Sequence, residues 1–169
     1  MKRLEETGYR GVILGGEGTG KTTLLEDLEP RLRELDLTPV RLRLSVEAPR
    51  FSPMMDQMLE SRVTPRHILL FDGSEQLGWW AWQKFRWENR GVGGLIITRR
   101  TPGRLPTLFR CGTSVDLLEG IVSELAQGQR EIDRALLEKL FRRHRGNIRL
   151  ALKDLYDRFA LGRMKLAPV

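Results

Sequence analysis

Residues 11–22 read GVILGGEGTGKT, and this stretch decides how the rest of the chain is interpreted. Its first four residues are a short apolar run, which is typical of a buried strand. Residues 15–22 then satisfy the pattern G-x-x-x-x-G-K-[ST], in which backbone N–H groups of a glycine-rich turn and of the following helix surround phosphate groups. The pattern predicts a nucleoside triphosphate site, in which Lys21 reaches the phosphates and the Thr22 hydroxyl binds Mg²⁺.

The surroundings of this loop distinguish a nucleotide site from a chance glycine-rich turn. An apolar strand precedes the loop, and the helix predicted over 22–35 carries leucines on one face. The chain contains no [NT]-K-x-D motif that would read guanine, so we expect the nucleotide to be ATP. The expected nucleotide contacts are Gly15, Gly16, Glu17, Gly18, Thr19, Gly20, Lys21, Thr22 and Thr23.

A second apolar run, residues 67–72, reads HILLFD and ends in an acidic side chain. Because the carboxyl ends of parallel strands meet at one edge of a sheet, we expect Asp72 beside Thr22 as a second Mg²⁺ ligand. The alternative is that Asp72 caps the helical segment that begins at Ser74.

Glu75 follows Asp72 by three residues, and its carboxylate could orient or deprotonate an attacking water. The alternative is a glutamate in the first turn of a helix, where it completes a local cap. Gln76 is the second candidate for positioning water.

Apolar strands alternate with helical patterns as far as residue 127, and the last forty residues are helical only. This alternation predicts a parallel sheet with crossover helices. We therefore expect an α/β nucleotide-binding core over 1–128 and a small helical lid over 129–169, in one compact unit. The predicted strands are 11–14, 38–46, 67–72, 95–98 and a weaker one near 113–117, and the predicted helices are 22–35, 54–59, 74–89, 119–127, 131–143 and 147–159.

The order of four motifs resembles that of the AAA+ and related ASCE-type P-loop ATPases. Residues 15–22 match Walker A, and 69–72 resemble Walker B. Residues 95–98, LIIT, look like the strand that carries sensor 1, which maps to Thr98. Residues 146–149, GNIR, are similar to the sensor 2 motif of a helical lid, which maps to Arg149. In motif layout, small bacterial transposition-helper and secretion-type ATPases are the nearest groups.

The resemblance implies a three-layer P-loop sandwich with a five-stranded parallel sheet in the order 5-1-4-3-2 and a C-terminal helical lid. It also implies hydrolysis of ATP with Mg²⁺, coupled to movement of the lid. The candidate catalytic residues are Lys21, Glu75, Thr98 and Arg149, and the candidate metal ligands are Thr22 and Asp72.

The chain departs from the family pattern at several positions. Most hydrolytic relatives carry an acid directly after the Walker B aspartate, whereas Gly73 stands here. No arginine finger is evident; Arg110 occupies a plausible place, and Arg99 and Arg100 are rivals. The residues around Arg149 also have a purely structural interpretation, in which Asn147 caps the last helix.

Length and composition limit the class of protein. The chain has 169 residues, 40% of them apolar and 30% charged, which is typical of one globular domain rather than a disordered tail or a membrane protein. Its single cysteine, Cys111, excludes an internal disulfide framework. The first ten residues are charged and lack the apolar centre of a signal peptide, so we expect a cytoplasmic protein.

Basic residues are concentrated in two blocks. Residues 80–112 carry seven basic residues and one acidic residue, and residues 131–169 carry ten basic and five acidic residues. Such blocks favour a polyanion, either nucleotide phosphate or a nucleic-acid backbone; the alternative is a solvated basic surface.

All four tryptophans lie within residues 79–87. On a helix Trp79, Trp82 and residues 85–86 share one stripe, while Trp80 and Trp87 share another. One stripe is expected to pack on the sheet. The other indicates an interface with a protein partner or a second copy of the chain, or base stacking with nucleic acid.

Three functions remain open from the sequence. The first is an ATPase, the second a nucleotide or small-molecule kinase, and the third a nucleotide-dependent adaptor without catalysis. Sheet order distinguishes the first two, because the order 5-1-4-3-2 inserts a strand between those that precede Lys21 and carry Asp72.

Overall fold

The computed structural model describes residues 2–48, 64–126 and 133–161, together with the backbone of 130–131 and 167–168. The short helix expected at 54–59 lies outside these residues. Contacts group the chain into two compact units. The first is Met1–Gly15 with Gly20–Arg110, and the second is Gly16–Thr19 with Cys111–Val169.

The first unit alternates strands and helices. Its elements are helix α1 (Lys2–Glu6), strand β1 (Arg10–Leu14), helix α2 (Lys21–Arg33), strands β2 (Thr38–Arg43) and β3 (His67–Asp72), a 3₁₀ helix (Ser74–Gln76), helix α3 (Trp79–Glu88), and strands β4 (Gly94–Arg99) and β5 (Thr107–Arg110). The elements of the second unit are helix α4 (Val115–Leu125), strand β6 (Arg130–Glu131), helices α5 (Arg134–Arg143) and α6 (Ile148–Ala160), and strand β7 (Ala167–Pro168).

The five strands of the first unit form one parallel sheet in the order β2-β3-β4-β1-β5. Read from the opposite edge this is 5-1-4-3-2, so the predicted order is confirmed. Strand β4 therefore lies between β1 and β3. This places the carboxyl ends of β1, β4 and β3 side by side at one edge of the sheet.

The core of the first unit covers both faces of this sheet. On one face, Trp82 and Phe85 of α3 pack against alternate residues of β1, β3 and β4, and the rings of Phe71 and Phe85 lie 5.1 Å apart. The intervening residues, such as Ile13 and Ile96, are equally buried. Helix α2 packs against β2 and β3. Burial on both faces is why the strands are continuous apolar runs.

The fifth strand was predicted near 113–117, and this position is wrong. Strand β5 is Thr107–Arg110, and only its Leu108 is buried. One buried residue in four gives almost no apolar pattern to detect. Residues 115–117 instead form the first turn of α4, which Ser114 caps: its hydroxyl accepts a hydrogen bond from the Leu117 N–H at 3.1 Å.

The helix predicted over 74–89 is divided in two. The 3₁₀ helix ends at Gln76, and both Leu77 and Gly78 have extended backbone before α3 begins at Trp79. The carboxylate of Glu75 is thus carried by a separate short element rather than by the helix that packs on the sheet.

The second unit is a small helical cluster. Apolar residues of α4, α5 and α6 share one core, which includes Leu118, Leu140 and Leu155. Arg134 of α5 pairs with Asp116 and Glu119 of α4. The contact grouping places α4 with the later helices, whereas the predicted lid began at residue 129. In the part of the chain that the structure describes, no helix is both long and apolar enough to cross a bilayer.

Candidate functional site

The phosphate-binding loop begins and ends in the first unit. The Gly15 N–H donates to the carbonyl of Arg99 at 3.1 Å, which joins the end of β1 to the end of β4. Gly20 has φ +83° and caps α2 without a side chain, while an added Cβ would meet nothing within 4 Å. The left-handed backbone, not crowding, therefore requires glycine here. Lys21 and Thr22 follow as the first residues of α2, where an anion is favoured.

The middle of the loop, Gly16–Thr19, belongs to the second unit. Gly18 has φ +68°, and a Cβ added there would fall 1.9 Å from Oδ1 of Asn147. The same Oδ1 accepts a hydrogen bond from the Leu150 N–H at 3.1 Å, so Asn147 caps α6 as the structural interpretation expected. Gly18 is thus required both by its backbone and by the side chain against it.

A chain of three side chains joins the ends of α2, β3 and β4 in the first unit. The Thr22 hydroxyl donates to Oδ2 of Asp72 at 2.8 Å, and the Thr98 hydroxyl donates to Oδ1 of the same carboxylate at 2.6 Å. Thr98 is 1% exposed. The structure therefore brings together both predicted metal ligands and the predicted sensor 1 residue.

The donor set of this cluster fits Mg²⁺. A hydroxyl and a carboxylate are oxygen ligands, which Mg²⁺ prefers, and it commonly takes one or two of them beside phosphate and water. In the described ranges no group of three His, Cys, Asp or Glu side chains could hold a metal by itself. The cluster is thus suited to a metal bound together with nucleotide phosphates.

The turn after Asp72 explains why no acid follows it directly. Gly73 has φ +79°, and an added Cβ would fall 2.0 Å from the carbonyl oxygen of Leu44. Its N–H donates to the Thr98 hydroxyl at 3.1 Å, and the Ser74 hydroxyl donates to the Thr98 carbonyl at 3.0 Å. No side chain fits at position 73 without a shift of the Leu44 backbone, so a carboxylate after Asp72 must come from a later residue.

Glu75 is the first carboxylate beyond this turn. One of its oxygens, Oε1, lies 3.7 Å from Nε of Arg100. The other, Oε2, is buried and has no hydrogen-bond partner among the residues that the structure describes. A buried acceptor without a donor costs free energy, so Oε2 is the atom of Glu75 that is left to accept a hydrogen bond.

Arg104 is a residue of this site that the sequence analysis did not single out. Its guanidinium donates to the carbonyl of Ser74 at 2.7 Å and to that of Leu77, and lies 4.7 Å from the ring centroid of Trp82. Burial and the nearby Arg99 lower the pKa of Arg104, while Glu75 acts in the opposite direction. Arg104 therefore fixes the short helix that carries Glu75. It is one arginine in a basic block, and no sequence pattern marks it.

The remaining predicted residues keep their roles as predictions. Arg149 is an exposed residue in the first turn of α6 in the second unit. Arg110 is the exposed last residue of β5 and pairs with Leu14 in the sheet. Thr23 is exposed in the first turn of α2.

Three comparisons with known proteins were informative to different degrees: two found no match, and one found similar solved structures. No family model and no curated protein sequence matches the chain. Among solved structures, a variant of RuvB from Thermotoga maritima matches with a TM-score of 0.59 and 20% identity, over 95% of this chain and 59% of the RuvB chain. The chain thus spans about three fifths of the length of that relative. The likeness shows the fold, an α/β P-loop NTPase fold with a five-stranded parallel sheet.

Proposed function

We propose that this protein binds ATP with Mg²⁺ and hydrolyses it. The observation that carries the proposal is strand β4, which lies between β1 and β3 and presents Thr98 to Asp72 at 2.6 Å. A kinase would more often place the strand before the phosphate loop beside the strand that carries the acid. The intervening strand with a polar residue at its end supports an ATPase over a kinase.

Each residue of the cluster has a defined task in this proposal. Lys21 contacts the phosphates, and Thr22 and Asp72 hold Mg²⁺, which when bound neutralises charge on the phosphate oxygens. Thr98 holds the Asp72 carboxylate in one orientation through a buried hydrogen bond.

Glu75 is proposed to orient the attacking water and to accept its proton. Its buried Oε2 has no hydrogen-bond donor among the described residues, as expected of an atom that receives one from a water. The neighbouring Arg100, with Nε 3.7 Å from Oε1, turns the carboxylate to one side. Gln76 is the alternative for holding the water.

Two exposed arginines are proposed to couple hydrolysis to the helical lid and to a neighbouring copy. Arg149 would report the state of the γ-phosphate to the helical lid, and Arg110 would act on a neighbouring copy in an oligomer. We place this activity in the cytoplasm, where the nucleotide is available. A protein that binds ATP tightly without turnover would instead be an adaptor, the third alternative.

Substitution of Lys21 by alanine tests the site. We expect Lys21→Ala to lose measurable binding of a fluorescent ATP analogue with Mg²⁺, because the loop then lacks its one predicted phosphate-reaching cation. Lys153→Ala, at an exposed lysine of α6, is the matched control and should bind as the wild type does. Unchanged nucleotide binding by Lys21→Ala would refute the site assignment.

A further inference from the structure

Helix α3 exposes three of its four tryptophans. Trp79 is 60% exposed, Trp80 is 80% exposed and Trp87 is 66% exposed, whereas Trp82 is buried at 3%. The sequence predicts that Trp79 shares the core stripe of Trp82, but the structure leaves Trp79 exposed at the start of the helix. Three exposed indoles on one ten-residue helix are far more apolar surface than packing on the sheet requires.

The exposed indoles form one surface on the side of α3 away from the sheet. Trp80 and Trp87 are seven residues apart, about two turns, so they project from the same side, opposite Trp82. The rings of Trp79 and Trp80 meet edge to face, with centroids 4.4 Å apart. Arg86 is seven residues from Trp79 and lies on the Trp79 side of the helix. We call the surface formed by Trp79, Trp80, Lys84, Arg86, Trp87 and Arg90 the tryptophan face.

Cations are interleaved with these rings. The Arg90 guanidinium lies over the Trp87 ring, 5.0 Å from its centroid, and makes a cation–π contact with it. Lys84 pairs with Glu88 along the helix. In the part of the chain that the structure describes, no carboxylate lies within ion-pair distance of Arg86 or Arg90. The tryptophan face therefore combines flat apolar rings with net positive charge.

We propose that the tryptophan face binds single-stranded nucleic acid, with unpaired bases stacked on Trp80 and Trp87 and backbone phosphates beside Arg86 and Arg90. Rings arranged along a positively charged surface are the recurring means of binding a single strand without sequence preference. Duplex bases are already stacked on one another and would leave the indole faces unused. A second copy of the same face would bring like charges together, and an acidic peptide would use the arginines but not the rings.

Fluorescence anisotropy of a labelled (dT)20 strand tests this proposal in the absence of nucleotide, and therefore independently of ATP hydrolysis. We expect the double variant Trp80→Ala with Trp87→Ala to raise the Kd at least about tenfold, because each stacked base contributes appreciably to affinity. Tyr156→Ala removes an equally exposed aromatic ring from α6 and should leave the Kd unchanged. Circular dichroism should show both proteins folded, since all three rings are exposed.

The salt dependence of the Kd distinguishes the contribution of the tryptophan rings from that of the arginines. The double variant Arg86→Ala with Arg90→Ala should reduce the slope of log Kd against log salt by about 1.4, or about 0.7 per phosphate contact, while the tryptophan variant keeps the wild-type slope. A duplex of the same length should bind at least about tenfold more weakly than the single strand.

Four results would overturn the proposal. These are no binding of (dT)20 at low salt, equal binding of duplex and single strand, equal binding of a polyglutamate peptide that depends on the same tryptophans, or an unchanged Kd in the tryptophan variant. If that variant instead converts a sedimenting dimer to a monomer and leaves (dT)20 binding unchanged, the tryptophan face joins two copies of the chain.

Discussion

At the scale of single residues, the site depends on one buried hydroxyl. Thr98 donates to Asp72 and accepts from the Gly73 N–H, so it fixes both the carboxylate and the turn that follows it. Since Thr98 is almost fully buried, any replacement without a hydroxyl leaves the two partners unsatisfied. One residue thereby couples the metal ligand to the start of the segment that carries Glu75.

Gly73 provides the sharpest stability prediction at this scale. We expect Gly73→Ala to lower the free energy of unfolding by about 2 kcal/mol or more, because the left-handed backbone is strained and the Cβ meets the Leu44 carbonyl oxygen at 2.0 Å. Urea denaturation measures this change. Gly120→Ala, inside α4 with nothing within 4 Å, is the control and should be neutral or stabilising by up to about 1 kcal/mol. Equal stability of Gly73→Ala and the wild type would contradict the account of this turn.

At the scale of elements, the 3₁₀ helix is stabilised by a side chain from another part of the chain. Its own hydrogen bonds are few, and Arg104 supplies two donors to the carbonyls of Ser74 and Leu77 while stacking on Trp82. A planar fork can satisfy two carbonyls at once and lie flat on a ring, which an ammonium group cannot.

Arg104→Lys should therefore destabilise the protein and slow turnover more than it weakens nucleotide binding. We expect a loss of about 1–2 kcal/mol in the free energy of unfolding and a several-fold lower kcat at unchanged ATP affinity. Arg33→Lys, at an exposed arginine paired with Glu29 along α2, should change neither property. If both variants behave alike, Arg104 is not a positioning residue.

The hairpin of α5 and α6 predicts a dependence of stability on pH. Hydrogen bonds from His144 at 2.9 Å and from Arg158 at 2.7 Å lower the pKa of Asp154 below its ordinary value, with a smaller effect of Arg143. A carboxyl with a lowered pKa in the folded state contributes stability above the unfolded pKa of about 4, and this contribution is lost as pH falls through the folded pKa.

Asp154→Asn tests this dependence. The variant should be about 1 kcal/mol less stable than the wild type at pH 7, and the difference should shrink below about pH 4. Asp157→Asn, at an exposed position on the same helix, should show no such change. Thermal melts across this pH range measure both variants, and a difference that persists at low pH would rule out the charge of Asp154 as its cause.

At the scale of the whole molecule, the sequence predicted the features whose residue types and spacing are fixed by ligand chemistry. The loop of residues 15–22 and the strand ending at Asp72 could be predicted as a site because phosphate and Mg²⁺ binding in general require particular residues at particular spacings. The sheet order followed from the resemblance carried by the order of four motifs, and the structure confirms it.

What the sequence did not predict depends on contacts between distant residues. Arg104 lies in the loop before β5, has a left-handed backbone with φ +68°, and donates from there to the 3₁₀ helix thirty residues earlier. The contact of Gly18 with Asn147 joins residues far apart in the chain and has no local pattern. Strand β5 was misplaced because a strand with one buried residue has no periodicity to read.

The measurement that tests the central claim most directly is phosphate release from ATP with Mg²⁺ by the wild type and Glu75→Gln side by side. We predict turnover by the wild type and a rate at least about tenfold lower in Glu75→Gln, with unchanged nucleotide binding, because the amide cannot accept the proton of the attacking water. Glu34→Gln, at the exposed end of α2, should hydrolyse as the wild type does. Equal rates in the wild type and Glu75→Gln, or tight binding of ATP with no turnover by the wild type, would contradict the claim.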